Sequence, residues 1–125
     1  DALVADAQRW RAPQQAQLAQ AAARSELTRL ESELAREREA LQAQLAAQQQ
    51  RLAYFEATGL RQAETLAHAA RIRYESGAID YLAYARLLRE AFDLREAHLR
   101  TLFSFNQTTI RLRYLAGSSD NPYQR

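Results

Sequence analysis

Between Pro13 and Ser76 the chain gives a helix almost nowhere to stop. The only glycine in that stretch is Gly59, and the only prolines anywhere are Pro13 and Pro122. Glycine ends helices through its backbone freedom, and proline through its missing N–H and its ring. Ala, Leu, Arg, Gln and Glu fill the stretch instead, and these lose little side-chain freedom in a helix. β-Branched residues such as Val4, Ile72, Ile79 and Ile110 are scattered, and nowhere do apolar and polar residues alternate as in a strand. The fold class expected is all-α: a long antiparallel helical hairpin of coiled-coil character.

Proline is tolerated in a first helical turn. The first long helix is therefore expected over residues 14–75, with residues 1–12 helix-compatible but ambiguous. Leu27, Leu30, Leu34, Leu41, Leu45, Leu52 and Phe55 step by threes, fours and sevens, which puts them on one face. Glu37 and Gln48 interrupt that stripe. Alanines between them allow close helix approach. Gly59 leaves two outcomes. A continuous or mildly kinked helix would make Gly59→Ala neutral or stabilising, by a few tenths to about 1 kcal/mol. The alternative is a fold back near Gly59 into a three-helix bundle.

The clear stop is Ser76-Gly77-Ala78-Ile79-Asp80. Gly77 suits the left-handed conformation that ends a helix, and Asp80 suits the cap of the next. Arg71 and Arg73 offset Glu75 near the end of the first helix. A turn over 76–80 sends a return helix, 81–116, back beside the first. Residues 117–125 are expected as a flexible tail, and 1–125 as a single domain.

The return helix carries two apolar stripes. One holds Leu87, Ala91, Leu94, Leu102, Phe105 and Leu112; Leu87, Leu94, Leu102 and Phe105 are its expected packing residues. The other holds Tyr81, Leu88, Phe92, Leu99, Phe103 and Ile110. One partner helix cannot cover both. The arms are also unequal, ~93 Å against ~52 Å at ~1.5 Å per residue. Both features point to self-association, because apolar surface left uncovered marks an interface.

The chemistry of catalysis is missing. Seventeen basic residues, all Arg, nearly cancel fifteen acidic ones, and their signs alternate from Arg24 to Glu39. That is a salt-bridged, solvated face rather than a nucleic-acid site. Without cysteine there is no disulfide, thiolate metal site or Cys nucleophile. His68 and His98 lack the Glu-x-x-His and His-Glu-x-x-His spacings of metal bundles and zinc proteases. The three glycines stand alone, so there is no phosphate loop, and no Ser sits in a nucleophile elbow. No apolar run is long enough to span a membrane. The expectation is a non-enzyme with no catalytic, metal or cofactor residues. Tyr74, Tyr81 and Tyr84 gather at the turn, as packing for its end or as part of a docking surface.

Three segments carry a family resemblance. They are Ala70-Arg71-Ile72-Arg73-Tyr74-Glu75-Ser76-Gly77-Ala78-Ile79-Asp80-Tyr81-Leu82-Ala83-Tyr84, the run from Phe105-Asn106-Gln107 to Leu115-Ala116-Gly117, and Leu52-Ala53-Tyr54-Phe55-Glu56-Ala57-Thr58-Gly59-Leu60-Arg61-Gln62-Ala63-Glu64. Together they resemble the TolC-like outer-membrane efflux channels, heavy-metal branch, over roughly residues 14–117. In that branch Pro often follows the Gly-Leu; Arg61 stands there here, which favours a continuous helix.

The resemblance implies a periplasmic helical hairpin that builds the wall of a trimeric conduit. Its tip, Tyr74, Ser76, Gly77, Ala78, Ile79, Asp80 and Tyr81, would dock an adaptor protein coupled to an inner-membrane pump. The family's gate uses polar residues just past the tip. Ile79, Tyr81 and Tyr84 occupy that region, so no gate residue is assigned. The alternative function is a generic coiled-coil scaffold or oligomerisation module.

Overall fold

The computed structural model describes residues 1–117. All regular structure among them is helical: α1 spans Ala2–Tyr54, a single wide π-helical turn spans Phe55–Gly59, α2 spans Leu60–Glu75 and α3 spans Tyr81–Gly117. The expected tail falls outside the described residues, apart from Gly117, which is the last residue of α3. The first helix starts at Ala2 rather than at residue 14 and carries Pro13 in its interior. By contact the chain divides into two units, residues 1–39 and 40–125.

In residues 1–39 every side chain is exposed except Glu37, which is half-buried. Trp10, Leu18 and Leu27 are all more than half exposed. Local contacts support this stretch. Arg29 is held between Glu26, at 2.5 Å, and Glu33, one turn to either side. The Arg29 hydrogen bonds hold the Glu26 carboxyl below its ordinary range, and the two acids raise the guanidinium. All three side chains are more than half exposed, so the pairing contributes little to stability.

The second unit holds the core. Phe55 meets the His98 ring edge-on at 5.8 Å, and Tyr74 stacks on Tyr84 at 4.7 Å. Contacts that join progressively distant residues on either side of 76–80 are those of antiparallel neighbours. Among the buried and half-buried positions of α3 runs an unbroken row, Tyr84, Leu87, Ala91, Leu94, His98, Thr101, Phe105, Thr108, Leu112 and Leu115. Their steps alternate three and four without a break, the heptad period of a coiled-coil seam. On the preceding helix, from residue 40 on, the buried and half-buried positions include Leu41, Leu45, Gln48, Leu52, Phe55, Gly59, Ala63, Ala67 and Ala70.

Two expectations need correcting. Leu102 is not a packing residue of this seam: it is 37% exposed, while Thr101 beside it is 8% exposed. The stripe read from the sequence stepped eight residues from Leu94 to Leu102, and the seam steps seven. The Thr101 and Thr108 hydroxyls donate to the carbonyls of Ala97 and Ser104, one turn back, so both can be buried.

The second correction concerns Gly59. Its φ of −61° and ψ of −43° are helical, so the helix runs on through this residue. Nor is Gly59 a casual helix residue. A Cβ built on it would lie 2.8 Å from Cδ1 of Phe55, whose ring is buried. The expectation that Gly59→Ala is neutral or stabilising is therefore reversed.

Candidate docking site at the turn

The turn is built by hydrogen bonds that the sequence specifies residue by residue. Gly77 has φ +75°, the only positive φ among the described residues. Its N–H donates to the carbonyl of Tyr74 at 3.0 Å, and the Ala78 N–H reaches back to that of Arg73 at 2.8 Å. This pair of bonds is the Schellman closure of a helix, and it needs the left-handed residue in the middle. The Ser76 hydroxyl adds a bond to the Arg73 carbonyl at 3.1 Å. Asp80 then caps α3, its Oδ1 accepting the Ala83 N–H at 2.8 Å. The Arg71 guanidinium lies 3.9 Å from Glu75, which eases that carboxylate's position at a helix C-terminus.

These bonds engage Oδ1 of Asp80 and the carbonyls of Arg73 and Tyr74. What the turn shows outward is different. Tyr81 is 69% exposed and packs only an edge against Tyr74, with ring centres 6.2 Å apart. Ser76, Gly77 and Ala78 are exposed, while Ile79 is half-buried and so belongs partly to the turn's own packing. Of the seven residues expected at the tip, Gly77 and Asp80 shape the turn, Tyr74 braces it against Tyr84, and Tyr81 and Ala78 are its free surface.

The outer face of α3 is the other open surface. Phe92, Leu99, Phe103 and Ile110 are each at least 60% exposed, and seven- and four-residue spacings align them along one side. Tyr114 extends the row. Leu87, Leu94 and Phe105 belong to the opposite, half-buried side. No family model, curated protein or solved structure matches the chain. The two surfaces must therefore speak for themselves.

The described residues contain no group of three His, Cys, Asp or Glu side chains that could hold a metal ion, and the His98 ring lies edge-on to Phe55. No described helix is long and apolar enough to cross a membrane. Sequence reasoning missed the π-helical turn, although one signal was present: the apolar spacing across Phe55 to Ala63 is eight residues where its neighbours are seven.

Proposed function

We propose that this chain is the periplasmic helical hairpin of a tripartite efflux system, packing beside further helices to form a conduit wall and presenting its turn to an adaptor protein. The single observation that carries the reading is that α3 has two apolar sides, one set against the preceding helix and one bare. A helix with that pattern suits a wall in which every helix has a neighbour on each side. The same bare face leads the chain to self-associate. The resemblance of residues 52–64, 70–84 and 105–117 to TolC-like channels supplies the biological setting, and the tight, capped turn supplies a rigid end for docking. The work is mechanical: helices line a path, and the exported compound does not react.

The test changes the turn's free surface without touching its framework. Ala78→Asp with Tyr81→Ala leaves Gly77 and the Asp80 cap intact. In cells whose resistance to a metal or toxic compound depends on this protein, the double variant should lose resistance while circular dichroism of the purified chain is unchanged. Full resistance with both substitutions would remove the docking role and leave the second reading, an oligomerisation scaffold indifferent to its turn. That reading is favoured by the same bare face of α3, which needs only another helix.

A further inference from the structure

The helix that faces α3 contains one residue more than its seam requires. Along α3 the seam keeps an unbroken seven-residue repeat, from Ala91 to His98, Phe105 and Leu112. On the other side Gln48 to Phe55 is seven and Ala63 to Ala70 is seven, but Phe55 to Ala63 is eight. In a regular helix an extra residue turns everything beyond it by about 100°. Ala63 and Ala70 would then leave the contact, and Gln62 and Arg73 would enter it. They do not: Ala63 is fully buried and Ala70 is 1% exposed. The π-helical turn at Phe55–Gly59 absorbs the surplus, since a single such turn is an α-helix with one residue inserted. The Leu60 N–H bonds to the Phe55 carbonyl five residues back, which marks the wide turn.

We propose that this turn is a joint: a removable one-residue insertion that divides the long helix into a part reading 41–55 and a part reading 63–74, each in phase with α3. Glu56, Ala57 and Thr58, the residues it throws outward, are all exposed. None of the three is buried in the seam. Take one away and the helix becomes regular, with Leu52, Phe55, Leu60, Ala63, Ala67 and Ala70 in unbroken heptad order. The wide turn interrupts the regular ladder of bonds four residues back, so a joint there should open before its flanks.

Two deletions in the full chain test this. Removing Ala57 alone should leave helicity unchanged or higher and lower the midpoint far less than the double deletion, the small loss coming from Leu60 taking the place of Gly59 beside Phe55. Removing Ala57 and Thr58 together overshoots by one residue and rotates the far part out of phase, so the midpoint should fall by on the order of 10 °C. In the unaltered chain, amide exchange at residues 55–60 should be at least tenfold faster than at 48–54 and 61–70. In the single deletion it should slow to the flanking rate. A single deletion as damaging as the double one would overturn the insertion, because it would make the wide turn part of the packing. Protection at 55–60 equal to the flanks in the unaltered chain would overturn the joint.

Discussion

Gly59 and Phe55 depend on each other. The glycine leaves room for the buried ring, and a methyl group in that room meets Cδ1 at 2.8 Å. Alanine is worth about 1 kcal/mol over glycine in a helix interior, but overpacking a buried ring costs about 1–3 kcal/mol. Gly59→Ala should therefore destabilise the chain, by about 1 kcal/mol net. In a Phe55→Ala background the sign should reverse, because the ring is gone and only the propensity gain remains. Urea melts of the four chains in this cycle measure the coupling directly. A second residue-scale expectation concerns Asp80. Its carboxylate holds one otherwise free N–H, and Asp80→Ala should cost about 1 kcal/mol in the same assay.

Among the elements, α3 has two sides whose substitutions should report different events. Leu94 lies on the seam, so charge there attacks the fold. Leu99 and Phe103 lie on the bare side, so charge there attacks assembly. Leu99→Glu with Phe103→Glu should leave helicity unchanged and convert an associating chain to a monomer in sedimentation velocity. A wild type that is monomeric at high concentration would refute self-association. Much of this element was legible beforehand. Its length, both of its stripes, the Gly77 stop and the Asp80 cap all follow from residue type and spacing. The position of the seam to within one residue did not, because Leu102 outranks Thr101 on hydrophobicity alone. Nothing in the sequence shows that a threonine bonded to its own helix buries as readily as an alkyl group. The π-helical turn escaped for a related reason: Gly59 drew attention as a weak residue, while the information lay in the eight-residue step around it.

At the scale of the whole molecule, residues 1–39 and 40–125 differ in what holds them in shape. The second unit has helices packed on one another. In the first every side chain but that of Glu37 is exposed, and pairs such as Arg29 with Glu26 and Glu33 lie along its own helix. Isolated helices are marginal in water, since most helical stability in proteins comes from packing an apolar face. Residues 1–39 should accordingly exchange their amides and be cut by protease well before residues 40–117. Protection of the first unit should rise with protein concentration if other copies cover Leu27, Leu30 and Leu34. The proposed function rests on a resemblance, because docking surfaces leave no motif as clear as a metal site or a nucleophile.

Part of the seam of the second unit is lined with small side chains. Gly59, Ala63, Ala70 and Ala91 are among its most buried positions, and no large side chain is fully enclosed. Proteins with bulky cores are vulnerable to shrinkage, because truncation opens a cavity. Here the vulnerability runs the other way. Losing a methyl at Ala63 or Ala91 removes little buried area and costs about 1 kcal/mol of helix propensity, whereas adding carbon atoms wedges two helices apart. Random mutation should therefore sort these positions by volume: a modest loss downward, a larger one upward. A deep substitution scan would see these four positions as a ceiling on side-chain size.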